Sequence, residues 1–295
     1  MELEGKVAFV TGGGSGVALG QAKVLAEEAG MKVVIADIRQ QALDEAMDYF
    51  SRRNVAVHPI RMDLTDRAAV AAAKEEAERV FGPVQLLMNT GGVSQFGPIE
   101  QATFDDWDWQ IDVNLKGVIN TCQTFIPRMI ELGEGHIVNT ASMSAFVALP
   151  TSAIYCTTKY AVRGLTESLR CEMPKFGVGV SILCPGAVNT NIHRSVESRP
   201  DRYASTGYYG RDEQVFAHLK AVIEGGFDPI DLGRVVLEAV RRGDFWILPY
   251  PEFLPMIEEK NDEIVAALRQ YADHPDTARR RQLAEARGNV MPGTK

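Results

Sequence analysis

Four cysteines are the whole thiol complement of this chain, and Cys122, Cys156, Cys171 and Cys184 form no CxxC pair and no cluster with histidine. That excludes a disulfide scaffold or a zinc site as the first reading and favours reduced thiols. The five histidines, His58, His136, His193, His218 and His274, are scattered without ligand spacing, so no metal is expected. Long apolar runs are also missing, none reaching the ~18 residues of a membrane span. The opening MELEGKVAFVTGGG lacks the basic start and long apolar core of a secretory leader. Positive charge is in deficit: 31 Lys and Arg against 39 Asp and Glu leave a net charge of -8. Such a surface repels polyanions, so a nucleic-acid partner is disfavoured. The basic run Arg279 to Arg281 lies among polar residues and reads as a solvated helix face. No internal repeat, low-complexity segment or clear linker interrupts the chain. These absences lead to the expectation of a soluble cytoplasmic protein with neither membrane nor nucleic-acid partner.

What is present is a regular alternation. Apolar runs occur at Lys6 to Gly12, Lys32 to Asp37, Val55 to Asp63, Val84 to Thr90, Gly135 to Ser142, Val178 to Gly186 and Phe245 to Pro251. Most are continuous in polarity, as in parallel strands covered on both faces. Helical patterns separate them; Asp66 to Gly82 opens on an N-cap residue and stops at glycine before Pro83. Strand–helix alternation predicts an α/β, doubly wound parallel sheet of about seven strands with helices on both faces. The 295 residues suit one domain over 1–251, with a helical C-terminal extension over 252–295. The extension would pack on its own domain or on a neighbouring subunit of a homodimer or homotetramer. One break, at about 187–228, is irregular and carries Tyr203, Tyr208, Tyr209 and Phe216. Long irregular insertions of this kind form lids or binding loops.

The first strand runs into TGGGSGVALG, Thr11 to Gly20. Glycines permit a sharp turn close to a pyrophosphate, and the helix that follows offers free N–H groups and the positive end of its dipole. The second strand ends at Asp37, where a carboxylate accepts hydrogen bonds from both ribose hydroxyls of NAD and repels the 2′-phosphate of NADP. Ile38 follows, and Arg39 is near enough to soften that preference or stack on adenine.

YCTTK places Tyr155 and Lys159 at i and i+4, on one face of the helix after the fifth strand. A free phenol, with pKa about 10, is a weak base at neutral pH. A neighbouring ammonium favours phenolate and draws the pKa down. The stretch IVNTASMS supplies hydroxyls at Thr140, Ser142 and Ser144 at the carboxyl edge of the fifth strand, any of which can reach a substrate oxygen.

These motifs, in this order, resemble those of the short-chain dehydrogenase/reductases over about residues 5–251. Gly12, Ser15, Gly16 and Val17 stand in a turn similar to that family's TGxxxGxG, although its third glycine is Ala18 here. The resemblance implies a Rossmann-type fold and NAD as cofactor. It implies adenine contacts from Asp63 and Leu64, and a sheet-bracing and ribose role for Asn89 in NTGG. In PGAVNT it implies that Val188 and Thr190 hold the nicotinamide carboxamide. It selects Ser142 among the hydroxyls and adds Asn114 of VNLKG, completing a catalytic set of Asn114, Ser142, Tyr155 and Lys159. Tyr155 and Lys159 also face the nicotinamide ribose on this view. The variable stretches Asn89 to Asn120, Asn191 to Tyr208 and Ile247 to Glu252 resemble the bacterial Cα-dehydrogenases of lignin breakdown. They imply a small aromatic substrate, the benzylic Cα alcohol of a β-aryl ether, oxidised to the ketone. A steroid, sugar alcohol or acyl ketone is the alternative substrate. A non-catalytic dinucleotide sensor or a structural subunit would need neither Tyr155 nor Lys159.

Overall fold

The computed structural model describes residues 2–208 and 220–287. Seven strands form one parallel sheet: β1 (Val7–Thr11), β2 (Lys32–Asp37), β3 (Val57–Arg61), β4 (Val84–Asn89), β5 (Gly135–Thr140), β6 (Val178–Leu183) and β7 (Trp246–Ile247). Their order is β3-β2-β1-β4-β5-β6-β7. Each predicted apolar run carries one strand, and β1 and β5 are buried at every residue. Continuous apolar sequence is what two-sided burial demands. The last run contributes only two residues to the ladder. Pro249 and Pro251, which have no N–H to donate, follow close behind.

The connecting helices are α1 (Gly16–Glu27), α2 (Gln40–Phe50), α3 (Arg67–Phe81), α4 (Phe104–Ile111), α5 (Gly117–Leu132), α6 (Ala153–Glu172) and α7 (Pro229–Arg242). The side chain of Asp66 caps α3 by accepting from the N–H groups of Ala68 and Ala69, and Gly82 ends it at φ 96°. α1 packs directly on α7. A Cβ on Gly20 would meet the Pro229 carbonyl oxygen at 2.2 Å, and one on Gly233 would meet the Gly20 oxygen at 2.9 Å. Bare backbone on both helices therefore sets their spacing and holds α1 fast at the edge of the site.

The strand order reverses between β1 and β4, and a crevice opens at their carboxyl ends, the usual place for a ligand in such sheets. The irregular segment begins beyond β6. Its base is closed by a bridge between Val188 and Phe227, and it contains short 3-10 turns at Ile192–Ser198 and Asp201–Tyr203. Residues 209–219, with Tyr209 and Phe216, lie outside the described residues, as does His218. Contacts divide the chain into two units, Met1–Pro249 and Tyr250–Lys295. The second contains the helices Leu254–Arg269 and Thr277–Arg287. Among the described residues no helix is long and apolar enough to cross a membrane, and no His, Cys, Asp or Glu cluster could hold a metal ion.

Candidate active site

A cleft of ≈ 530 Å³ runs along the crevice. Of the residues assigned to the cofactor from sequence, Gly12, Ser15, Gly16, Val17, Asp37, Arg39, Asp63, Leu64 and Thr190 line it. Val188 is buried beside it in the bridge to Phe227. Gly12 adopts φ 70°, and a Cβ there would meet the Gly91 Cα at 2.7 Å, so the two loops approach as closely as backbones can. Gly16, at φ 56°, lies under Thr190, whose Cγ2 would be 3.1 Å from an added Cβ. Ser15 is the N-cap of α1, and its side chain makes no capping bond. The N-terminal amides of α1 thus open onto the cleft without a competing hydroxyl, as an anion site requires.

Asp37 is buried at the β2 end and accepts from the Gly14 N–H at 3.3 Å. Arg39 covers it: its backbone N–H and Nε donate to Asp37 Oδ1 at 3.0 and 3.3 Å, and Nη2 donates to Ser15 Oγ at 2.7 Å. On the far wall Asp63 Oδ1 accepts from the N–H and hydroxyl of Thr65, and Arg202 reaches from the irregular segment to Asp63 Oδ2 at 3.4 Å. Asn89 does not line the cleft. It is buried, and its Nδ2 donates to Asn139 Oδ1 at 2.8 Å, so its work is to tie β4 to β5.

None of the four residues of the expected catalytic set lines the cleft itself, so Tyr155 and Lys159, also assigned to the cofactor from sequence, do not border it; Asn114 and Lys159 flank Gly92, which does. Ser142 lies just past β5, where its Oγ accepts from the Ser144 N–H at 3.1 Å and donates to the Pro185 carbonyl at 3.3 Å. α6 carries Tyr155 and Lys159 one turn apart. Both are buried, and Lys159 Nζ is 5.5 Å from the centre of the Tyr155 ring. Lys159 Nζ donates to the Thr140 carbonyl at 3.2 Å. Asn114 sits in a π-helical turn, Asp112–Lys116, inserted between α4 and α5. Such turns are frequent at functional sites. Its Nδ2 donates to the Val93 carbonyl at 2.9 Å and its Oδ1 accepts from the Val93 N–H at 2.8 Å. Gly92 connects the two regions. It lines the cleft, and a Cβ on it would lie 3.1 Å from Asn114 Oδ1 and 3.7 Å from Lys159 Nζ.

Electrostatics in the site differ from the sequence expectation at one point. Burial pushes the Tyr155 phenol up to about 12, against a hydrogen bond with Ser142 that pulls it down. The same burial brings Lys159 down to about 8. Desolvation penalises whichever form is charged, and here it outweighs the Ser142 hydrogen bond. The expected lowering of the tyrosine is therefore reversed in this structure.

Sequence reasoning missed the wall facing Tyr155. The Phe96 ring packs edge-on against it, centroids 5.5 Å apart. Phe96 belongs to the loop after β4, whose Gly97 N–H donates to the Thr151 carbonyl at 2.8 Å. Thr151 holds a φ of 62°, costly for a β-branched residue. Also missed was Arg199. Its side chain is 4% exposed and pairs with fully buried Asp106 of α4 at 2.6 Å. Burial raises the Asp106 carboxyl, but hydrogen bonds from Thr206, Thr103 and Arg199 win, and it stays below its ordinary value. Tyr203 donates its hydroxyl to Asp112 Oδ2 nearby. The signal in the sequence was the acid-rich FDDWDW and, far along the chain, a stretch with three arginines, Arg194, Arg199 and Arg202.

A dinucleotide-type cleft at the carboxyl edge of a doubly wound parallel sheet, with Ser142, Tyr155 and Lys159 buried near it, defines an oxidoreductase class. Residues 6–201 match the family described as short chain dehydrogenase, and the chain belongs to that family. It is 39% identical over 282 residues to the C alpha-dehydrogenase of Sphingobium sp. (strain NBRC 103272 / SYK-6), covering 95% of this chain and 92% of that protein. The crystal structure of the apo form of LigO from Sphingobium sp. strain SYK-6 is similar at 66% identity and TM-score 0.82, over 99% of this chain and 100% of that one. A short chain dehydrogenase/reductase from Burkholderia phymatum, solved in complex with NAD, is 33% identical with TM-score 0.87, over 90% of this chain and 96% of that one. The protein is thus an enzyme of the short chain dehydrogenase family, with relatives among the Cα-dehydrogenases.

Proposed function

We propose that the protein oxidises the benzylic Cα alcohol of lignin-derived β-aryl ethers to the ketone with NAD. The observation that carries the chemistry is the grouping of Ser142, Tyr155 and Lys159, with Asn114 and Lys159 flanking Gly92 on the wall of the cleft. The benzylic substrate rests on the likeness to a C alpha-dehydrogenase and on the aromatic wall at Phe96. NAD is supported by the Asp37 carboxylate in the cleft and by the relative solved with NAD.

The residues present fit a dinucleotide. The Gly12–Gly91 approach leaves backbone, not side chain, at the floor, and the amides of α1 face the cleft. Bound there, the nicotinamide supplies the hydride acceptor. Asp37 and Arg39 would hold the adenosine ribose, Asp63 and Leu64 the adenine, and Val188 and Thr190 the carboxamide. Ser142 Oγ orients the substrate oxygen, and Tyr155 Oη, as phenolate, removes the hydroxyl proton. Lys159 stabilises that phenolate by its charge, and Asn114, tied to the Val93 backbone, would with a water pass the proton to solvent. Because burial holds the phenol up to about 12, oxidation should quicken as pH rises. We also assign the protein to the cytoplasm, in keeping with four free cysteines, and to a homodimer or homotetramer.

The test is incubation with NAD and each enantiomer of a β-aryl ether alcohol such as guaiacylglycerol-β-guaiacyl ether. Reduced nicotinamide and the Cα ketone should appear together. No reduction with either enantiomer would reject the substrate.

A further inference from the structure

Arg199 is far from Tyr155 in sequence and does not line the cleft, yet its guanidinium joins three parts of the site. Nη1 donates to Asp106 Oδ1 and to Gln95 Oε1, both at 2.6 Å. Nε donates to the Tyr203 carbonyl at 2.5 Å and Nη2 to the Ser205 carbonyl at 2.8 Å. The plane also lies over Trp109, 5.1 Å from its ring centre. One side chain thereby fastens the irregular segment to α4 and to the loop after β4.

Gln95 is the residue before Phe96. It is buried, its Nε2 donates to Thr206 Oγ1 at 3.2 Å, and its carbonyl accepts from Gln110 Nε2 at 3.2 Å. On the other side of Phe96, Gly97 is bonded to Thr151, and the Tyr208 ring fills the space where a Gly97 side chain would be. The phenyl ring is held from both flanks while its edge meets Tyr155.

We propose that Arg199 is a positioning residue: through Gln95 and Asp106 it holds Phe96 against Tyr155, and so sets the site's fit for a bulky aryl alcohol. The substrate part rests on the function proposed above; the positioning part does not. A guanidinium is needed because four acceptors in different directions exceed what one ammonium can serve in a fixed geometry.

The test uses the full chain with Arg199→Lys and, where that variant loses too much stability, Gln95→Leu, which leaves the Arg199–Asp106 pair intact. With the aryl ether alcohol, KM should rise about tenfold or more while kcat changes far less, as expected when an aligning wall is displaced. The dissociation constant for NAD should stay within about twofold, since neither residue touches the cleft. A second readout needs no turnover: 4-fluorophenylalanine at position 96 should show a shifted or broadened 19F resonance in both variants. If the wild type ignores the aryl ether, the substrate reading fails, and a shifted resonance still supports the positioning role. An unmoved resonance overturns the proposal. So does a parallel loss of NAD affinity, kcat and melting temperature, the pattern of a purely structural residue.

Discussion

Lys159→Met should make the protein more stable and inactive at once. The lysine is buried, its pKa falls from 10.5 to about 8, and burial is the first cause. Keeping that ammonium charged at pH 7 costs about 3 kcal/mol relative to the unfolded chain. Methionine has similar volume and no charge, but it gives up the bond from Nζ to the Thr140 carbonyl at 3.2 Å. Losing that bond offsets about 1–2 kcal/mol. The net gain is about 1–2 kcal/mol, or about 3 °C in melting temperature for a domain of this size. The sign with pH is fixed by linkage. Between about 8 and 10.5 the unfolded chain binds the proton and the folded chain does not, so wild-type stability rises through that window. By about pH 9.5 the difference should shrink by about 2 kcal/mol and the variant's advantage should be gone. Tyr155 acts oppositely, losing stability only above pH 10, outside the measured range. Thermal melts of both proteins without cofactor, at pH 7 and near 9.5, test this. A variant that melts lower at pH 7, or a gap independent of pH, refutes the argument from burial.

Two further predictions concern the cleft. Gly12→Ala adds a Cβ 2.7 Å from the Gly91 Cα at a φ of 70°, and should cost about 2 kcal/mol or more, with loss of NAD binding by calorimetry; retained affinity would show that the close approach is dispensable. Asp37→Ala should move the NAD-to-NADP ratio of kcat/KM toward NADP by about tenfold or more, since two charge-assisted hydrogen bonds and a repulsion disappear together. An unchanged ratio would contradict the role given to Asp37.

The sheet was legible because its signal is local. Seven apolar runs gave seven strands, and strand–helix alternation allowed only right-handed parallel connections. The floor of the cleft was legible for the same reason, as a glycine turn must be written where the turn occurs. Arg199 was not. Arginine is so seldom buried that one in a polar stretch reads as solvated, and its partners Gln95 and Asp106 are 104 and 93 residues away. Phe96 was hidden likewise, since its neighbour Tyr155 comes from another element. The direction of the tyrosine's shift was misread because spacing reveals a nearby ammonium but not the depth of burial that competes with it.

The central claim is that Tyr155 is the base of a nicotinamide-dependent alcohol oxidation, and Tyr155→Phe tests it most directly. The variant keeps the ring that meets Phe96 and removes only the hydroxyl. Turnover of the aryl ether alcohol should vanish while the dissociation constant for NAD, followed by fluorescence, stays within about twofold of wild type. Substantial residual turnover with NAD still bound would contradict the account.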